Sequence, residues 1–340
     1  MSTFTRILLS QYPSDKIDMN TFREEKVPLA SLQPGCRQLL VKVLYISVDP
    51  IIRSWITPGI HGAMEPVNVG ETVRASALGV VMRAGPHASL AVDDIVIGLL
   101  GLTEYGVYNE AELFKARPAT GATLQHYLGP LGFTGLAAYF GCKLGQIKAG
   151  ETVVVSAAAG ATGSLACQLA KRKGAHVIGI AGSDEKCAWL INDLGIDKAF
   201  NYKESSWRET FVEQVGEVDV YFDNVGGEIL DFMLSRLNPR ARISLCGGIS
   251  SYNSPAQPGI KNYMELFHKR ASITGFYVMD FLPEFPAAFT ELERLLSTNS
   301  ITFRYKEVKG IRNVPTSLMD LFAGKNTGKL YVGRLLSMDV

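Results

Sequence analysis

The chain has 340 residues, 47% hydrophobic and 20% charged, with a formal net charge of +1. This is the composition of an ordinary soluble protein long enough for about two domains. It carries no footprint for nucleic acid or an anionic membrane, since the longest basic cluster, Lys171-Arg172-Lys173, reads as a helix C-terminus.

From Arg6 to about Leu128, short alternating or apolar runs such as Gln38 to Val48, Val80 to Arg83 and Asp94 to Leu100 are broken by Pro and Gly, the pattern of a mostly β region. The N-terminal apolar patch, Ile7 to Leu9, is too short for a leader, and no stretch reaches the roughly eighteen apolar residues of a membrane span. The five cysteines, Cys36, Cys142, Cys167, Cys187 and Cys246, include no C-x-x-C pair, so neither a disulfide framework nor a structural zinc site is expected. A cytoplasmic location follows as the expectation.

From about Gly129 strands alternate with helical segments: Thr152 to Ser156, His176 to Ile180, Lys198 to Asn201, Val218 to Asp223, Arg242 to Cys246 and Ser272 to Phe276. Strands of this kind build a doubly wound α/β sheet. The tail, with Phe303 to Val308 and Lys329 to Leu335 as strands, resumes the β character of the start. The expected organisation is therefore a β-rich domain over 1–128, a nucleotide-binding domain over 129–299, and a return to the first domain over 300–340. The loop Ser250 to Pro258 follows the fifth strand, where ligands sit in an open α/β sheet.

The most informative stretch is Ala157-Ala-Ala-Gly160-Ala161-Thr162-Gly163, between the β-branched run Thr152 to Val155 and the helical segment Ser164 to Lys173. A small-residue turn lets N–H groups at a helix N-terminus approach a pyrophosphate, which the helix dipole favours. Ala158 stands where the first glycine of G-x-G-x-x-G would be. The acidic residue that holds a ribose 2′-hydroxyl is expected about twenty residues further on, and Ala181-Gly182-Ser183 stands there instead, with Lys186 just beyond. No carboxylate repels a 2′-phosphate, so the cofactor read from these residues is NADP rather than NAD. The same residues also read as plain helix chemistry: Ser183 as N-cap, Asp184 and Glu185 as first-turn acids, Lys186 as a solvated lysine.

Several motifs together resemble the zinc-independent medium-chain dehydrogenase/reductases, and within them the NADP-dependent alkenal, leukotriene and prostaglandin reductases. They are Leu44-Tyr-Ile-Ser-Val-Asp-Pro50 with Arg53, Gly135-Leu-Ala-Ala-Tyr-Phe-Gly141, the glycine turn, Tyr221-Phe-Asp-Asn-Val-Gly-Gly227, Cys246-Gly-Gly-Ile-Ser-Ser-Tyr-Asn253 and Gly324-Lys-Asn-Thr-Gly-Lys329. The resemblance covers nearly the whole chain. It implies a six-stranded parallel Rossmann sheet inserted in a β-rich GroES-like domain. It implies too that Gly160, Ala161, Thr162 and Gly163 hold the pyrophosphate, and that Lys186 and Tyr202 take the 2′-phosphate. Asn224, Cys246, Gly247, Gly248, Ser250, Phe276, Tyr277 and Asn326 would complete the cofactor site. Tyr202 also reads as core; Asp223-Asn224 ends the fourth strand before Gly226-Gly227, where a short polar side chain can reach cofactor hydroxyls, and also reads as a turn and N-cap.

Zinc-using relatives hold their metal through a cysteine and a Gly-His-Glu in the β domain and a four-cysteine lobe, all missing here. His61 and Glu65 have helical spacing but no cysteine partner, so no metal is expected. Without a Lewis acid an ordinary ketone is hard to reduce, because the developing alkoxide lacks a strong stabiliser. The resemblance implies instead hydride transfer to the β-carbon of an enal or enone, with charge spreading onto oxygen as an enolate. Tyr252, in the loop after strand five, is the candidate proton donor. Alternatively it packs over the cofactor and water supplies the proton.

Plant alkenal reductases carry a tyrosine directly after the Asp-Pro pair, where this chain has Ile51. The substrate pocket is then more apolar, with Tyr45, Ile51, Tyr252 and Phe281 as its expected lining. Other readings stay open: an NADPH quinone oxidoreductase with the same cleft, or an NADP-binding protein without turnover. The sixth strand, as a sheet edge, points to a homodimer, since family members commonly pair there.

Overall fold

The computed structural model describes residues 2–59, 64–116, 121–253 and 259–333. His61 and the part of the Ser250 to Pro258 loop from 254 onward lie outside them. The chain forms two compact units, Met1–Leu128 with Tyr305–Val340, and Gly129–Arg304.

The first unit opens with β1 (Thr3–Leu9), paired antiparallel with β2 (Phe22–Pro28). Next comes β3 (Gln38–Ser47), the longest strand, whose residues Leu39, Val41, Val43 and Ile46 enter an apolar core. Pro50, with φ −58, starts the short helix α1 (Ile51–Trp55). There Ile52 joins the same core, while buried Arg53 ties down the N-terminal segment through the carbonyl of Asp15 at 2.8 Å. The strands β4 (Ala77–Ala84), β5 (Ile95–Gly98), β6 (Tyr105–Asn109) and β7 (Phe114–Lys115) complete this part.

In the second unit every strand is followed by a helix. Helix α2 (Phe133–Leu144) leads into β8 (Thr152–Val155), α3 (Ala161–Arg172), β9 (His176–Ala181), α4 (Asp184–Asn192), β10 (Lys198–Asn201) and α5 (Trp207–Gln214). Then follow β11 (Val218–Asp223), α6 (Gly227–Leu234), β12 (Leu237–Leu245), the helical turns α7 (Ile249–Tyr252) and α8 (Glu265–His268), β13 (Ser272–Gly275) and α9 (Phe285–Ser297). All neighbouring strands are parallel, in the order β10-β9-β8-β11-β12-β13. This is the predicted doubly wound sheet. Its apolar runs, such as Val154, Ile178, Ile180, Tyr221 and Ile243, are buried against the helices, as a sheet covered on both faces requires.

Two elements differ from the sequence reading. Helix α3 starts at Ala161, ahead of Ser164, because extended Gly160 (φ −82, ψ 176) already serves as its N-cap. Strand β12 starts at Leu237 and not Arg242: Leu237 pairs with Val218 and Arg242 with Val220, so the residues between bulge outward, with Arg240 at φ 67. The unit ends at Arg304, and Thr302 just before it is tied to α3 because the Gln168 side chain accepts from its N–H (2.6 Å) and donates to its carbonyl (2.9 Å).

The chain then returns to the first unit through β14 (Tyr305–Lys309), α10 (Val314–Phe322) and β15 (Lys329–Gly333), giving the sheet order β14-β15-β3-β4-β5-β7 with β6 also on β3. Period two sorts the β3–β15 pair into unlike faces. Ile46, Val48, Leu330 and Val332 enter the apolar core, whereas Ser47, Asp49, Lys329 and Tyr331 alternate with them. Lys329, only 1% exposed, pairs with Asp49, which also accepts from the Ser47 hydroxyl.

Candidate active site

The carboxyl edge of the six-stranded sheet gathers most of the predicted site residues. At the end of β8 the chain turns through Ala157, which sits at φ +46, a region where a non-glycine residue is uncommon. Gly163 packs so closely on this turn that a Cβ would lie 2.3 Å from the Ala157 carbonyl oxygen. Gly160 caps α3 without any side-chain hydrogen bond. The N–H groups of Ala161, Thr162 and Gly163 therefore head a 12-residue helix with no intrahelical acceptors, the arrangement that binds phosphate.

A second cluster forms where β9 and β10 end. The Tyr202 N–H donates to the Ala181 carbonyl at 3.0 Å, which sets Tyr202 and Lys203 beside Gly182 and Ser183. Tyr202 is 43% exposed, so the core alternative for it is overturned. Ser183 does cap α4, accepting from the Lys186 N–H at 3.3 Å, and Asp184 accepts from Asn201 Nδ2 at 3.0 Å. Burial, and then the neighbouring Lys203 ammonium, hold the Lys186 pKa below the ordinary lysine value. A bound phosphate would relieve that repulsion. Lys203 is missing from the residues the sequence singled out; its only signal there is adjacency to Tyr202.

The third cluster joins the ends of β8, β11 and β12. Asn224 donates its N–H to Ser156 Oγ (2.8 Å) and its Nδ2 to the Ser156 carbonyl (2.7 Å). Gly226, at φ 69 and ψ −154, makes a turn into α6 that side chains disfavour. The N–H groups of Cys246 and Gly247 donate to the Asp223 carbonyl at 2.8 and 3.2 Å, and Ser250 Oγ donates to the Val225 carbonyl at 2.6 Å. The Tyr252 hydroxyl accepts from the Gly248 N–H at 3.3 Å, which leaves its own proton for another acceptor. Burial raises its pKa above the ordinary tyrosine value. Burial, followed by the nearby Asp223, pushes the Cys246 thiol up to about 12, so it remains protonated. Phe276 packs by Gly141, Tyr277 is 48% exposed, and Phe281 stacks on Phe140 with centroids 4.4 Å apart.

The remaining predicted residues belong to the first unit. Tyr45 accepts from Gln125 Nε2 at 3.3 Å and meets Tyr331 edge-on at 5.4 Å. Ile51 opens α1 and is half-buried. Asn326 donates to the Gly328 carbonyl at 3.1 Å in the turn before β15.

Family models match both parts: one described as the N-terminal domain of oxidoreductase over 5–116, and one described as zinc-binding dehydrogenase over 161–298. An NADP(+)-dependent 2-alkenal reductase of Nicotiana tabacum is 34% identical over 327 residues, covering 94% of this chain and 93% of its own. The chain is a zinc-independent medium-chain dehydrogenase/reductase. Bovine (Bos taurus) prostaglandin reductase 1 is 36% identical to this medium-chain reductase over 94% of the chain and 95% of its own. The crystal structure of CurA from Vibrio vulnificus in complex with NADPH superposes with a TM-score of 0.91 at 30% identity, covering 98% and 100% of the two chains.

The zinc named for the second family finds no donor set among the described residues. Among the described residues no three His, Cys, Asp or Glu side chains come together as metal ligands. Burial pushes the Cys142 thiol up to about 12 and raises those of Cys167 and Cys187, the reverse of what a thiolate ligand needs. No helix of the described residues is long and apolar enough to cross a membrane.

Proposed function

We propose that this protein reduces the C=C double bond of α,β-unsaturated aldehydes or ketones with NADPH, without zinc. The observation that carries the reading is Tyr252, a half-buried phenol whose hydroxyl accepts from Gly248 and, among the described residues, has its own proton uncommitted, at the carboxyl edge of a nucleotide-type sheet where the described residues offer no metal donor set. The Ala157–Gly163 turn would hold the pyrophosphate, and Lys186, Tyr202 and Lys203 the 2′-phosphate. Asn224 and the Cys246 to Ser250 loop, with Phe276, Tyr277 and Asn326, would hold the rest of the cofactor. When bound, NADPH supplies the hydride and its two electrons. Tyr252 would donate a hydrogen bond to the substrate oxygen as enolate charge gathers there, and the α-carbon then takes a proton from Tyr252 or from water. Tyr45, Ile51 and Phe281 would line the apolar part of the pocket. The similarity to the tobacco NADP(+)-dependent 2-alkenal reductase supports this reading, and that to bovine prostaglandin reductase 1 supports a reductase more broadly.

The test is NADPH oxidation by the purified protein with enals, enones, quinones and saturated ketones, repeated with NADH. Turnover of enals or enones with preference for NADPH supports the reading. Turnover of quinones alone moves the assignment to a quinone oxidoreductase, and tight NADPH binding with no turnover moves it to a binding protein. We further propose a cytoplasmic homodimer.

A further inference from the structure

Asp223 stands where the strand order of the sheet reverses. From the adjacent β8 and β11, β9 and β10 extend one way and β12 and β13 the other. A dinucleotide in such a sheet lies across the carboxyl ends of these two strands. Asp223 ends β11, is 0% exposed, and bonds across the reversal to Ser156 at the end of β8.

Its Oδ1 accepts from Ser156 Oγ at 2.9 Å, Tyr221 Oη at 2.8 Å and the N–H groups of Val225 and Gly226 at 3.0 Å. Its Oδ2 is reached by the Gly226 N–H at 3.1 Å. The Ser156 hydroxyl already accepts from the Asn224 N–H, so its proton goes to Asp223. Burial raises its pKa above the ordinary carboxylate value, while every partner is a donor whose hydrogen bond favours the charged form. Among the described residues no lysine or arginine pairs with it; its interactions are with hydroxyls and backbone N–H groups. A buried charge without a counter-ion is costly, and holding the Asn224–Gly227 turn would not by itself require a charge. The field also extends into the loop after β12, where it contributes to the raised pKa values of Cys246 and Tyr252.

We propose that Asp223 is the built-in counter-charge for the oxidised nicotinamide, favouring NADP+ over NADPH in the site and so the transfer of hydride out of the cofactor. The inference rests on the NADPH reading above. In enone reduction the hydride, with its two electrons, leaves the ring and bonds to the β-carbon. The ring gains one positive charge, and the enolate gains a proton from Tyr252 or water. A fixed negative charge at the carboxyl ends of β8 and β11, where the cofactor would lie, would stabilise that change without having to reorganise.

The experiment is fluorescence titration of the full-length protein with NADP+ and with NADPH, in wild type, Asp223→Asn and Tyr221→Phe. Asp223→Asn is expected to weaken NADP+ about tenfold more than NADPH, the scale of a charge pair several ångströms apart in a protein environment. Equal weakening of both, or no change in either, overturns the proposal and leaves Asp223 as a turn-holding residue. Tyr221→Phe removes one donor but keeps the charge, so NADP+ should tighten relative to NADPH; an unchanged or reversed ratio counts against the proposal even if Asp223→Asn fails to fold. If the wild type binds neither nucleotide, the NADPH reading itself fails. If it binds both and the variants move both equally, only the counter-charge idea fails.

Discussion

Lys186 and Lys203 come from different elements, the first turn of α4 and the second residue after β10, and meet because the Tyr202 N–H bonds to Ala181. Two neighbouring ammonium groups suit a dianionic phosphate better than a ribose hydroxyl. Lys186→Ala and Lys203→Ala are each expected to lower the preference for NADPH over NADH about tenfold, the order of one charge-assisted contact. The two losses should fall short of additive, since removing one lysine relieves repulsion on the other. Ratios of kcat/KM for the two cofactors measure this; an unchanged ratio in both variants would place the 2′-phosphate elsewhere. Lys186 was legible in the sequence because a missing carboxylate and a nearby lysine lie within one short segment. Lys203 was not, because its role depends on a contact between strands. Asp223 was visible as a strand-end polar residue near the cofactor or as a turn residue, but its buried donors Ser156 and Tyr221 were not, since they are set by strand pairing and not by spacing.

At the scale of elements, the turn from β8 to α3 carries its fit in one glycine. A Cβ at Gly163 would meet the Ala157 carbonyl carbon at 2.9 Å and its oxygen at 2.3 Å, both backbone atoms that cannot step aside. At Gly160 the only neighbour within range, the same oxygen, is 3.1 Å away, and the backbone angles suit any residue. Gly163→Ala is therefore expected to cost about 1–3 kcal/mol of stability and to abolish measurable NADPH binding, while Gly160→Ala keeps the fold and weakens binding less. Thermal unfolding and nucleotide titration of the two variants check the contrast, and equal behaviour would contradict it. The strand–turn–helix unit was readable from Thr152 to Lys173 because β-branched residues, small residues and an amphipathic run follow one another directly. The bulge in β12 was hidden: nothing in Leu237 to Ala241 announces that Arg240 takes a positive φ.

At the scale of the whole molecule, the alternation of β and βα patterns was enough to give two units with one inserted in the other. Pairings across that insertion were not legible. Lys329 and Asp49 lie in two motifs almost the full chain apart, yet they form an ion pair in which Lys329 is buried, where β15 starts beside the end of β3. The state of association belongs to the same scale, and it turns on the sheet edge that the sequence already placed at the sixth strand. The edge strand β13 is exposed along its length and has β12 on one side only. Ile273 within it is exposed by 36%, and Tyr263 and Phe267 shortly before it in sequence by 60% and 74%. An uncovered strand with apolar neighbours is an aggregation hazard unless a partner completes it. A second copy related by a two-fold axis can do so by setting its own β13 antiparallel, extending the six-stranded sheet into one of twice the width. Sedimentation of the wild-type protein is expected to give the mass of a dimer. Ile273→Lys together with Phe267→Glu should give a monomer with lower thermal stability, because removing the partner exposes apolar surface and leaves strand hydrogen bonds to water. A wild-type monomer whose melting temperature does not depend on protein concentration would show that water alone serves this edge.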